Sequence, residues 1–204
     1  MTFSRGIRGR CVLAFIIFIS ASGQALADAW ELDRFKNNKG AFLAGFFSGY
    51  AAHELGHIMV ADAFGFDSEF DGVTIVYPGA IMTEAEQLQV SSAGFQAQWL
   101  VSELALRYRK DKKLTNFGDN YNAGLVSAHL AITAAYMTFL LNHENGDLQG
   151  MSEASGISNE KLALLIAIPA GLDAWRLFGD DVPDWVPTLS AGTKAIGFIW
   201  IWSF

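Results

Sequence analysis

The sequence predicts a mainly α-helical fold, a multi-helix membrane-embedded bundle with a small β-hairpin after its first core helix. Three observations predict it. Hydrophobic residues make up 51% of the chain and the mean hydropathy is +0.25, more apolar than an ordinary soluble domain. The stretch 41–65, AFLAGFFSGYAAHELGHIMVADAFG, is long enough to cross a bilayer, which takes about 20 apolar residues. Three further apolar segments follow it.

The first element reads as a secretory signal over residues 1–27. Arg5, Arg8 and Arg10 form a basic n-region, Cys11 to Ile19 an apolar core, and Ala25-Leu26-Ala27 a cleavage site of the A-x-A type. An uncleaved anchor helix is the alternative. Cleavage before Asp28 removes Cys11, the single cysteine. The mature chain then has no disulfide or thiolate chemistry, and any metal must be held by histidine and carboxylate. It also removes three arginines from a net charge of −7, and so acidic a chain without a basic stripe argues against nucleic acid as a partner. What remains, residues 28–204, is the length of one domain.

Residues 41–65 are the first core helix. Ionisable groups in the middle of such a span usually face a bundle interior and mark function. Two strand-like runs come next, Val73 to Tyr77 and Ala80 to Thr83, with Pro78-Gly79 as the turn between them. A second helix runs from about Val90 to Tyr108 and ends in the basic string Arg107, Arg109, Lys110, Lys112 and Lys113. Residues 121–142 form a third helix containing His129, closed by the polar break Asn142 to Asp147. The fourth apolar segment, about 160–178, is interrupted by Pro169 and Gly171. Pro183 and Pro187 precede a last run, Thr188 to Phe204, whose aromatic end reads as an interfacial anchor because Trp is enriched there. A cleaved signal would leave the basic string outside, against the positive-inside tendency, so membrane orientation stays open.

The chemistry centres on His53-Glu54-Leu55-Gly56-His57, which contains two of the chain's four histidines. On a helix, residues four apart share a face, so both imidazoles reach one ion. Glu54, beside the first histidine, is placed to take a proton from an attacking water. Zn2+ suits such a site because it takes neutral imidazole nitrogen and keeps one position open when catalytic. A third protein ligand is required, and Asp147 and Asp173 are the carboxylates in suitable places, with Glu144 and His143 as lesser candidates.

An HExxH motif in the first core helix, a hairpin after it and a later aspartate resemble the site-2 protease class of membrane zinc metallopeptidases. The resemblance spans roughly residues 41–178. In small members of that class the third ligand opens a stretch similar to Asp147-Leu148-Gln149-Gly150-Met151 followed by Ser155-Gly156-Ile157. Larger members use a Leu-Asp-Gly signature after a proline, and Pro169 to Trp175 is similar, although Ala174 stands where its glycine should be. Topology favours Asp147, since the first and third helices should run in the same direction. Asp173 has an ordinary helical ion-pair partner in Arg176.

The resemblance implies a membrane-embedded zinc endopeptidase, integral and multi-pass, exported to a bacterial inner membrane, with a protein or peptide substrate and membrane lipid around it. His53, His57 and Asp147 would hold zinc and Glu54 would serve as general base. His129 is either an orienting group or a hydrogen-bonded core histidine. Gln96 and Gln98 either contact substrate backbone or, as the small residues around them suggest, sit at a close helix contact. The rival readings are a zinc-binding membrane protein without turnover, serving as partner or chaperone, and an exported soluble zincin.

Overall fold

The computed structural model describes residues 29–70, 74–109 and 115–204. The predicted signal over residues 1–27, Cys11 within it, and Lys110, Lys112 and Lys113 lie outside these. The described residues form seven helices and a two-stranded hairpin: α1 (Leu32–Asn37), α2 (Lys39–Phe64), β1 (Glu69–Phe70), β2 (Ile75–Val76), α3 (Glu84–Arg109), α4 (Asn116–Tyr136), α5 (Asp147–Ser155), α6 (Asn159–Phe178) and α7 (Trp185–Ser203).

Helix α2 is the predicted first core helix. It starts where the Asn38 side chain accepts from the Ala41 N–H and stops at Gly65, whose φ of 81° is the left-handed conformation that ends a helix. It packs between α4 and α3. Gly45 lies against the Tyr121 backbone, Gly49 against Ala128, and Gly124 against Phe42. From Gly45 with Tyr121, through Gly49 with Ala128, to the rings of His53 and Tyr136 (centroids 6.4 Å apart), contacts advance together along both helices, so α2 and α4 run parallel, as expected of the first and third core helices. Contacts of His57 with Val90 and of His53 with Gly94 advance in opposite senses, so α3 is antiparallel to α2.

The hairpin exists in a different register. Glu69 pairs with Val76 and Phe70 with Ile75, so only the first predicted run contributes a strand. Pro78-Gly79 forms a later turn, closed by the Ala80 N–H on the Tyr77 carbonyl. The second predicted run fails because Thr83 belongs to a capping box: its N–H donates to Glu86 Oε2 (2.9 Å), and its Oγ1 accepts from the Glu86 N–H (3.3 Å). That box starts α3 at Glu84, six residues before the predicted Val90.

Helix α4 likewise starts early, at a Thr115 cap, and ends at Tyr136 rather than 142. The predicted polar break becomes the N-terminus of α5. Helix α6 is continuous across Pro169, which is buried with Ile166 and Ala170 beside it. The ring removes one backbone bond, and the packing on either side of it keeps the two halves in line.

No helix among the described residues is long and apolar enough to cross a membrane. This overturns the membrane-embedded architecture and the integral, multi-pass location. The face of α2 buried against α3 and α4 is made of small residues and the two histidines, Ala41, Gly45, Gly49, His53, Gly56, His57 and Ala61, while Leu43, Phe47, Leu55 and Met59 are exposed. Lys39, His53, Glu54, His57 and Asp62 leave no unbroken run of about 20 apolar residues in it. Part of the C-terminal run predicted as an interfacial anchor packs into the core, while Ile199 and Phe204 are exposed. Ile201 is buried in the main core with Leu88, Phe95 and Leu162, and the Trp202 indole donates to Gln96 Oε1 at 2.7 Å.

Candidate metal centre

His53 and His57 face inward from α2, both buried. Asp147 reaches them from the first turn of α5, where the preceding polar loop delivers it. His53 Nε2 lies 2.9 Å from Asp147 Oδ2, His57 Nε2 lies 3.3 Å from the same oxygen, and the two Nε2 atoms are 3.3 Å apart. Ligands on one tetrahedral ion, at bonds of about 2.0–2.1 Å, lie about 3.3 Å from each other. Among the described residues these three form the cluster that could hold a metal ion.

Their surroundings orient them for that task. The Nδ1–H of His57 donates to the Val90 carbonyl at 2.8 Å, which leaves the Nε2 lone pair directed at the cluster, the usual outer support of a metal-bound imidazole. Tyr136, the last residue of α4, accepts from the Asp147 N–H at 3.4 Å and its hydroxyl hydrogen-bonds the Asp147 carboxylate. The Tyr136 ring is held edge-on by Phe95 at 5.0 Å, and Phe95 in turn meets the His53 ring at 5.4 Å. Sequence reasoning missed Tyr136. Its role depends on where α4 stops, and no local pattern signals that.

Charge in the cluster is strongly coupled. Burial alone would push the Asp147 carboxyl up, but the imidazoles of His57 and His53 outweigh it and hold the group well below the usual carboxylate range. Burial alone would lower His57, yet the Asp147 carboxylate and the Val90 carbonyl raise it to about 9. The position between these side chains thus attracts positive charge, whether proton or metal ion.

Glu54 is half-buried beside the ligands, its carboxylate hydrogen-bonded by Tyr50 one turn back. Its charge acts on His57, Tyr77 and Tyr136. A cleft of about 600 Å³ opens onto the cluster. Its walls are β2 with Tyr77, the segment Ala80–Met82, Val90 and Ser91 of α3, and Glu144 to Asp147; His57 and Asp147 contribute to the lining. His53 and Glu54 are not among the lining residues. Glu144 is on the rim and His143 on the exposed loop beside it, neither in the ligand cluster.

Asp173 lies outside this cluster. It is completely buried and saturated by other partners: Lys194 Nζ at 2.7 Å, Ser102 Oγ at 2.9 Å, Arg176 at 3.1 Å and Ser190 Oγ at 2.5 Å. Glu103 joins this network through a two-pronged contact with Arg176, at 2.6 and 3.1 Å, and through Lys194 at 3.1 Å. The pairing of Asp173 with Arg176 was visible in their spacing, while Glu103 and Lys194 come from distant helices. Gln96 donates to Ser92 Oγ and accepts from Trp202, so its amide is engaged within the core.

Gly94 of α3 has a packing reason. A Cβ there would collide with His57 Nε2 and lie 2.5 Å from His53 Cε1. Gly94→Ala is therefore expected to improve helix propensity by about 1 kcal/mol yet push both imidazoles out of place. Titration with a divalent metal ion should show affinity reduced roughly tenfold or more, as for other disturbed ligand supports; wild-type affinity would mean that the rings are not held as described.

No protein-family model, no curated protein and no solved structure matches this chain.

Proposed function

We propose that this chain is a zinc-dependent endopeptidase, similar in its ligand set to the site-2 protease class. The observation that carries the reading is the convergence of His53, His57 and Asp147, with Glu54 adjacent to the first ligand in an HExxH helix. Two imidazoles and one carboxylate suit zinc and leave a coordination position open, the arrangement of hydrolytic sites. When bound, zinc supplies the Lewis acidity that polarises a peptide carbonyl and lowers the pKa of water.

The protein's own groups do the rest. Glu54 accepts the proton of the attacking water and returns it to the leaving amine. Tyr136 and the Val90 carbonyl fix the ligands from outside. The cleft supports an extended substrate. Residues Thr74 to Tyr77 line it, and β2 pairs only with β1 among the described residues, so its other edge can accept an added strand. The substrate on this reading is an unfolded or extended segment of another protein.

The test is cleavage of a mixed-sequence peptide library with and without metal. Activity should disappear when zinc is stripped by a chelator and return when zinc is restored. Cleavage that persists in the metal-free protein would exclude the proposed chemistry.

A further inference from the structure

Two helical stripes lead away from the metal centre into the core. On α3, Gly94 faces His53 Nδ1, Gln98 is one turn further, and Ser102 one turn beyond that donates to Asp173. On α4, Tyr136 holds Asp147, and Thr133 and then His129 follow towards the opposite end of the helix, with His129 Nε2 3.9 Å from Asp173 Oδ2. Both stripes thus join the candidate ligands to the Asp173–Lys194–Glu103–Arg176 network.

The polar atoms between the two ends lack partners. His53 Nδ1, both amide atoms of Gln98, Thr133 Oγ1 and both ring nitrogens of His129 make no hydrogen bond among the described residues, though each residue is at most 3% exposed. Buried polar groups are normally satisfied, and buried water, making about three hydrogen bonds each, is the usual means. These six atoms lie on helices that pack against one another, where one set of waters would serve them together.

We infer that a water-filled path runs from His53 Nδ1 through Gln98, Thr133 and His129 to Asp173, and that Gln98 and His129 are positioning residues for the metal ligand His53. This rests on the metal-centre reading of His53. The path gives the Nδ1–H of His53 the acceptor that Val90 gives His57, so both ligand rings are fixed in the tautomer that presents Nε2 to the ion. His129 suits a relay between donor and acceptor, because burial lowers its pKa to about 4 and keeps it neutral near pH 7.

Gln98→Leu and His129→Phe test this with side chains of similar bulk. In the hydrated path, both substitutions strand waters and the His53 Nδ1–H, so zinc affinity falls about tenfold and Tm drops. In a dry interior, each would remove an unsatisfied polar group, raising Tm and leaving zinc affinity unchanged, which overturns the inference. A high-resolution crystal structure of the wild-type chain supplies the measurement that does not depend on metal. Ordered water within hydrogen-bond distance of His53 Nδ1 and of His129 is the expected result, and a dry interior there contradicts the path. If the wild-type chain shows these waters but binds no zinc, the metal-centre reading fails and the positioning role fails with it, while the path itself stands.

Discussion

Glu54→Gln is expected to leave zinc binding intact and to lower peptide cleavage by roughly a hundred- to ten-thousand-fold, the range lost when a general base is removed. The reason is the division of labour on α2. His53 and His57 point into the ligand cluster with Asp147, whereas Glu54 is outside it and is hydrogen-bonded to Tyr50. Glutamine keeps the size of the side chain and can keep a hydrogen bond to the Tyr50 hydroxyl, but it cannot accept a proton from water. Parallel zinc titration and peptide hydrolysis decide the matter. Retained zinc with full activity would remove Glu54 from the mechanism, and an active wild type whose activity is lost in the zinc-retaining variant is the result that distinguishes a peptidase from a zinc protein without turnover.

The second large effect falls on the buried ionic network. Asp173→Asn leaves Lys194 and Arg176 short of one negative charge in a site with no solvent access. Removing one partner of a buried pair costs about 3–5 kcal/mol, and at about 2–4 °C per kcal/mol for a domain of this size the Tm should fall by roughly 10 °C. Zinc affinity should be largely preserved, in contrast to a substitution at Asp147.

The same network sets the acid limb of stability. Burial alone would raise the Glu103 carboxyl, but Lys194 and Arg176 lower it to about 2. A depressed carboxyl stabilises the fold above its unfolded value, about 4.5, and that contribution is lost as pH falls towards about 2. His129, kept neutral to about pH 4 by burial, adds a loss that begins as pH drops below the ordinary histidine range. Thermal melts from pH 7 to pH 2 should therefore show Tm falling with acid, and less steeply in Asp173→Asn, which removes a carboxyl that Lys194 and Arg176 hold below its usual range. A Tm independent of pH over that range would mean that the network contributes nothing.

The metal helix was legible because its signal is local: two histidines four apart and a glutamate between them fix a shared face whatever surrounds them. Asp147 was legible through topology, since parallel α2 and α4 bring the segment after α4 back to His57. The hairpin register was misread because Thr83 carries both strand propensity and capping capacity, and Glu86 three residues on decided for the cap. The membrane reading failed for a related reason. An apolar helix with small residues at 45, 49 and 56 packs as closely against protein neighbours as it would against other membrane helices, so composition alone does not separate the two. Tyr136 and the Glu103–Lys194 pair required the tertiary structure, because each acts across helices far apart in sequence.

The central claim is that His53, His57 and Asp147 hold one metal ion. Metal analysis of the purified chain beside Asp147→Ala, both checked for native helix content, tests it most directly. One zinc per wild-type chain, lost or bound far more weakly in Asp147→Ala, is the expected result. Equal zinc in the two proteins, or none taken up by the folded wild type at neutral pH, would contradict it.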